Sequence, residues 1–284
     1  MKMNYDTIIS GATLCGIVSS IHEVKKRRKV LLINSYGFPG GSITEALNIY
    51  QSLNDKTETV SRILKKIESD KFGILLRSSN VIFLNPESVK YIFQKEIEQA
   101  GIDVLFHVQP YEIEILNDGG YEITLIGREG KIKFTTEKII DASDNFQISS
   151  LLGRKRKLLS ARVNLLTNKL NQLHHSLKNY VDQSVQLEDG RYWLSFEVKS
   201  SDEIFLETAA HKKISELSEL FLKSCGRIQI LPAQTQMIYS IKREKSLDKN
   251  FYLINDLLTR EFGPDEELLK VVELEKLITN EEYF

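Results

Sequence analysis

The chain has few of the residues that mark specialised protein classes. Cysteine occurs only at Cys15 and Cys225 in 284 residues, far apart, with no CxxC pair. That spacing argues against a structural disulfide and against a metal cluster, and it fits a reducing, cytoplasmic compartment. An excess of one charge is also lacking, because 38 basic side chains face 39 acidic ones for a formal charge of −1. Such a balance gives no global attraction to nucleic acid or to an anionic membrane. No apolar run reaches the roughly eighteen residues of a membrane span. The opening MKMNYDTIISGATLCGIVSS does not read as a secretory signal. Asp6, Thr7, Ser10 and Gly11 interrupt its apolar stretch, and the basic run Lys25 to Lys29 follows it rather than preceding it. That run reads as the solvated C-terminus of a helix, where the dipole favours cations.

What is present is an ordinary globular composition, 42% hydrophobic and 27% charged, in a length that suits one large or two modest domains. Thr7-Ile8-Ile9 reads as a strand, followed by Gly11-Ala12-Thr13-Leu14-Cys15-Gly16, a helix through Glu23, and a second strand from Lys29 to Asn34. Strand, glycine turn, helix and strand within about thirty residues is the context of a dinucleotide-binding βαβ unit. A glycine-rich loop with Gly40, Gly41 and Ser42 comes next, and a helix is expected from about Ile43. Residues 55–80 read as an amphipathic helix and a loop. Asn85-Pro86-Glu87 opens a further helix, with Asn85 as cap and Pro86 at its first position, and Gly101 ends it. A strand over 102–106 leads to three antiparallel strands with turns at Asn117 to Gly120 and at Gly127 to Gly130. Lys138 to Asp141 returns to the sheet. Residues 161–166 and 191–198 are strand-like, and a polar helix follows over about 202–223. A last strand, Phe251 to Ile254, precedes a helix that starts after Gly263-Pro264.

These segments resemble the FAD-dependent oxidoreductases of the glutathione-reductase type. The likeness rests on Leu31-Leu32-Ile33-Asn34-Ser35-Tyr36-Gly37-Phe38-Pro39-Gly40-Gly41, on the Asn-Pro-Glu helix before a meander, on Ile140-Asp141-Ala142-Ser143-Asp144, and on Asn255-Asp256 before the last helix. It covers 4–153 well and 228–278 weakly. The resemblance implies an α/β fold, in which a Rossmann-like FAD/NAD(P)-binding domain (1–154 and 228–284) carries a three-stranded meander and a smaller inserted α+β substrate domain (155–227).

The resemblance also implies a site. Gly11, Thr13 and Gly16 would hold the pyrophosphate at a helix N-terminus, and Asn34 would take the adenosine ribose. Gly40, Gly41 and Ser42 would line the flavin approach, and Asp256 would accept from the ribityl chain. Four positions depart from the family pattern. Thr13 stands for a glycine, Asn34 for an acid, and Asp144 and Asn255 for glycines. The chain is thus expected to be an FAD-dependent oxidoreductase moving a hydride between a small organic substrate and flavin. The alternative is a degenerate, non-catalytic flavoprotein fold that acts as a binding or partner subunit. NAD(P) in place of FAD ranks third. Homo- and hetero-oligomers are both left open.

No acid–base pair, triad or metal cluster is legible. Cys15 reads as a packed small hydrophobe and Cys225 as structural. His107 reads as a strand-end residue, His174-His175 lack metal spacing, His211 reads as solvated, and Tyr36 packs over its loop. Gln234, Gln236 and Arg243 would border a substrate cavity or lie on a surface loop. A flavoenzyme needs little more, because the cofactor performs the redox chemistry and the protein supplies orientation and electrostatics.

Overall fold

The computed structural model of the chain describes residues 3–53, 57–199, 202–225, 230–232, 235–242 and 250–279. It opens with β1 (Met3–Ser10), α1 (Leu14–Lys25) and β2 (Val30–Ile33). A one-turn helix α2 (Ser42–Glu45), β3 (Tyr50–Ser52) and α3 (Glu58–Ser69) follow. Next come β4 (Ile74–Ser78), β5 (Val81–Leu84), α4 (Pro86–Ala100) and β6 (Asp103–Leu105). The meander is β7 (Gln109–Ile115), β8 (Tyr121–Gly127) and β9 (Gly130–Asp141), closed by α5 (Gln147–Leu151). A second unit holds β10 (Arg156–Thr167), β11 (Gln183–Gln186), β12 (Tyr192–Val198) and α6 (Glu203–Cys225). After β13 (Ile230–Pro232) and β14 (Gln236–Ile241), the chain returns through β15 (Phe251–Leu253), α7 (Ile254–Leu257) and α8 (Glu267–Thr279).

β6, β2, β1, β9 and β15 lie side by side in parallel, the order of a Rossmann-like α/β sheet. β8 and β7 extend the sheet antiparallel from the first half of β9. Thr7 to Ser10, Val30 to Ile33 and Lys138 to Asp141 are buried along their whole length, as strands covered on both faces are, whereas Asp103 of β6 is exposed. On one face Ile17, Val60, Phe93 and Val271 of α1, α3, α4 and α8 share a core with Ile9, Leu32 and Ile140. On the other face Tyr121, Ile123 and Phe134 pack with Phe146 and Ile148. The α4 boundaries follow the sequence closely: the Asn85 side chain accepts from the Glu87 amide, and Gly101 takes a left-handed φ of 69°.

Four expectations change. The meander's last strand and the strand returning to the sheet are one continuous twelve-residue β9, because no turn residue separates Phe134 from Lys138. The helix expected from Ile43 ends at Glu45, and Leu47 takes a left-handed φ of 49° two residues later. Residues 55–80 hold α3 but also β4, which pairs with β5 and through it with β3 in a three-stranded sheet. A register shift between Ile74 and Leu76 breaks the alternation that would have revealed β4. Finally, β13 and β14 both pair with β10, so the sheet of the second unit extends past residue 227 to Ile241. The short, poorly alternating runs Ile230–Pro232 and Gln236–Ile241 gave no such signal.

In that second unit α6 covers the sheet, with Ala210, Leu217 and Phe221 against Val163, Leu165 and Phe196. Trp193 ties it to the three-stranded sheet. The indole stacks on Tyr50 with centroids 5.9 Å apart, meets Phe83 edge-on at 5.6 Å, and donates to the Leu47 carbonyl at 2.9 Å. Aromatic contacts of this kind add to plain area burial. Among the described residues, no helix is long and apolar enough to cross a membrane.

Candidate functional site

A cavity of about 270 Å³ opens at the carboxyl ends of β1, β2 and β9. This is where the strand order reverses, with β2 on one side of β1 and β9 on the other, and it is the place open α/β sheets offer to ligands. Gly11, Thr13, Asn34, Gly41 and Ser42 line it, as do Glu45, Ser143 and Asp144. Glu207 of α6 and Met237 and Tyr239 of β14 also reach it, so both units contribute walls.

The glycine turn is built by close packing. Gly11 has a φ of +96°, and a Cβ there would meet the Ser143 backbone at 2.8 Å. A Cβ on Gly41, whose φ is +54°, would meet Thr13 Cγ2 at 2.9 Å. Thr13 caps α1: its hydroxyl accepts from the Gly16 amide at 3.2 Å and donates to the Ala142 carbonyl at 3.0 Å. The β-branched side chain thus fills the gap between turn and glycine loop. The Leu14 and Cys15 amides, in the first turn, have no partner inside the helix.

Asn34 is likewise engaged within the protein. Its Oδ1 accepts from the Ala12 amide at 3.1 Å, while Nδ2 donates to the Phe38 carbonyl at 3.0 Å and to Glu45 Oε1 at 3.2 Å. Ser42 lines the same cavity, and its buried Oγ has no hydrogen-bond partner among the described residues. A buried hydroxyl left without a partner beside a cavity is one mark of a ligand site.

Gly16, Gly40 and Asp256 do not line the cavity. Gly16 packs against the Gly11 carbonyl, and Gly40 lies over the Thr44 side chain. Asp256 sits on α7 and is gripped by Arg154, whose Nη2 also donates to the Lys242 carbonyl. Asn255 is beside it on α7. His107, exposed at a left-handed φ of 57°, lays its ring on Gly37. Gln236 lines the cavity. Gln234, Arg243 and the Cys225 side chain lie outside the described residues. Among the described residues no group of acids, histidines and cysteines could hold a metal ion.

Glu45 and Asp144 have shifted protonation. Burial, helped by the charge of Asp144, pushes the Glu45 carboxyl up to about 8, against the Asn34 hydrogen bond. Burial also raises Asp144, opposed by Lys270 and the Ser42 amide and reinforced by Asp141. Behind them Glu267 is pushed up to about 7, by burial and then by Asp144, while Lys270 pulls it down. Burial drives the Cys15 thiol up as well, so it stays a thiol and packs as an apolar group. Glu45 was not read from the sequence. Its one signal is position, an acid a single turn beyond Gly41.

Asp141 organises the cavity wall after β9. Fully buried, it accepts from the amide and hydroxyl of Ser143 through Oδ1 and from those of Ser149 through Oδ2. Asp141→Asn keeps an acceptor for one serine and turns a donor toward the other. We expect a loss of about 2 kcal/mol in chemical denaturation, typical of hydrogen bonds to a charged group. Loss near zero would show that the two serines repartner without cost.

Fold and cavity together define a two-unit α/β protein with a dinucleotide-type βαβ frame at its switch point. Residues 6–239 match the family model of FAD dependent oxidoreductases, and the chain belongs to that family, whose cofactor is FAD. The match is to the family and does not reach the glutathione-reductase type. A search of curated proteins returned no match. The chain is similar to the solved structure of p-nitrophenol 4-monooxygenase PnpA from Pseudomonas putida DLL-E4, at 11% identity and a TM-score of 0.62, over 98% of this chain and 80% of that one. It is similar to aklavinone-11 hydroxylase in a ternary complex with FAD and aklavinone, at 12% identity and a TM-score of 0.63, over 98% of this chain and 62% of that one. A flavoprotein/dehydrogenase from Cytophaga hutchinsonii gives 15% and 0.62, over 98% and 79%. At such identities the likeness establishes the fold.

Proposed function

We propose that the chain is an FAD-dependent oxidoreductase that moves a hydride between a small organic substrate and the flavin. The observation that carries this reading is the meeting of Gly11, the α1 N-terminus, Gly41 and Ser42 in one switch-point cavity, in a member of the FAD dependent oxidoreductase family. The backbone frame fits a dinucleotide. A glycine turn lets main chain approach the phosphates, and helix amides with the dipole favour negative charge. Gly11 and Thr13 hold the turn, Asn34 and Ser35 stand at the end of β2, and Gly41 and Ser42 close the loop side. When bound, FAD supplies the redox chemistry. Met237, Tyr239 and Glu207 from the second unit are the walls available to a substrate. In this reading Asp256 acts through Arg154, bracing α7 rather than contacting cofactor.

A second reading has its own observation. The hydroxyl of Thr13 and the amide of Asn34 are satisfied by protein groups, which suits a fold that has lost its ligand and serves as a partner subunit. One experiment separates the two. FAD added to the folded protein at about 100 times its Kd stabilises by about 2.7 kcal/mol if it binds only the native state, and the melting point rises by several degrees. Yellow protein that releases FAD on denaturation is the accompanying result. Colourless protein whose melting point ignores FAD would overturn the enzyme reading in favour of the partner subunit.

A further inference from the structure

The walls of this cavity hold three acidic residues, Glu45, Asp144 and Glu207, and no lysine, arginine or histidine among the described lining residues. A dinucleotide brings two negative charges on its pyrophosphate. Among the described residues, Lys270 opposes the rise of Asp144, and Arg156 stands behind the wall, donating to the Asn145 carbonyl at 2.6 Å and lying over the Tyr239 ring. Lys270, the cation that most influences Asp144, is buried on α8 next to Glu267, with Nζ 3.9 Å from Oε1. Asp141 has both oxygens engaged by Ser143 and Ser149. Glu45 thus accepts from the Asn34 amide, feels the charge of Asp144 and shares the cavity wall with Glu207. Ionised, it is an acceptor-only group set among other acids. Protonated, it offers an O–H donor and carries no charge, and Asn34 Nδ2 can hold it in either form.

We propose that the dinucleotide pocket is proton-linked, admitting the pyrophosphate with Glu45 in its neutral acid form, so that cofactor binding takes up a proton. The inference rests on the cavity being the dinucleotide site. Glu45 is the residue that sets the linkage, since it lies on the loop side of the cavity beside Ser42 and its ionisation falls near neutrality, at about 8. An anion entering next to it favours the protonated state further. Affinity is therefore greatest below about pH 8 and falls above it, by up to about tenfold per pH unit for one linked proton.

Titration calorimetry of the full chain with FAD, between about pH 6 and about pH 9.5 in buffers of differing ionisation enthalpy, measures the proton directly. The expected result is uptake of close to one proton at the alkaline end and a Kd that rises with pH. Adenosine, which lacks phosphates, serves as the probe whose affinity stays flat. Glu45→Gln fixes the neutral form. It should bind FAD at alkaline pH about as tightly as the unaltered protein does near neutrality, and without proton uptake. If that variant does not fold, the proton count on the unaltered chain and on Asp144→Asn still decides. FAD binding with no proton uptake and a flat pH profile overturns the linkage while leaving the cofactor reading intact. No FAD binding at any pH overturns both.

Discussion

Gly16→Ala should cost the protein about 3 kcal/mol or more and abolish FAD binding, although alanine is the better helix former. A Cβ at position 16 would stand 1.9 Å from the Gly11 carbonyl oxygen and 3.4 Å from the Ala142 methyl. The oxygen cannot retreat cheaply. Gly11 is pinned by its own amide, which donates to the Ile33 carbonyl at 2.8 Å, and a Cβ there would already meet the Ser143 backbone at 2.8 Å. The gain in helix propensity is at most about 1 kcal/mol, whereas overpacking a tight site costs about 1–3 kcal/mol and sometimes more. The clash wins. Displacing the turn also moves Gly11 and Ser143, both of which line the cavity, so ligand binding falls with stability. Gly119→Ala is the control: its φ is +83° but nothing lies within 4 Å of the added carbon. There the cost is the left-handed conformation alone, about 1–2 kcal/mol. Denaturant titration of both variants gives the comparison. Equal losses at the two positions would mean that close packing at Gly16 does not govern the turn.

That glycine illustrates what the sequence could and could not convey. The βαβ unit, the capped helix after Asn85 and the meander are encoded locally, in runs of alternating residues, glycine turns and an Asn-Pro start, so they were legible. Gly11, Thr13, Asn34, Gly41 and Ser42 line one cavity, because a strand–turn–helix fixes which residues sit at its carboxyl edge. The rest depends on contacts between distant segments. Glu45 becomes a site residue only because Leu47 ends its helix early and because Asn34 reaches across to it. Asp256 carried a family-like position, yet Arg154, a residue with no local signal, engages both of its oxygens. Thr13 looked like an intruder in a phosphate cradle. Only the structure shows that its hydroxyl caps α1 and its methyl fills the space under Gly41. The small sheet of β3, β4 and β5 was hidden by a bulge, and Trp193, the bridge between units, gave no hint of its partners.

The second large effect concerns a charge that sequence reading passed over. Glu23, on the last turn of α1, is fully buried and accepts from Lys138 Nζ at 2.9 Å and from the Thr7 hydroxyl at 2.9 Å. Arg28 lies 3.4 Å from the same oxygen, and Lys26 stands 4.0 Å from the other. Burial alone would raise the carboxyl, but the hydrogen bond and charge of Lys138, the Thr7 hydrogen bond and the charge of Arg28 together hold it below the ordinary carboxylate range. Lys138 moves down, since burial outweighs the pull of Glu23. The carboxylate is therefore what makes three clustered cations tolerable. Glu23→Gln keeps size and shape but removes the carboxylate that Lys138, Arg28 and Lys26 share, and breaking a buried pair from one side costs about 3–5 kcal/mol. Lys138→Met is milder, because Arg28 remains to neutralise Glu23. The double variant should recover much of the loss, since the apolar replacement removes the stranded ammonium. The acid dependence follows from the direction of the shift. A carboxyl lowered in the folded state contributes fully above its unfolded pKa of about 4.3, and the contribution is lost as pH falls through the lower folded value. The gap between the unaltered chain and Glu23→Gln should thus be widest near neutral pH and close steadily below about pH 4. A gap that is constant with pH would show that Glu23 acts through shape rather than charge.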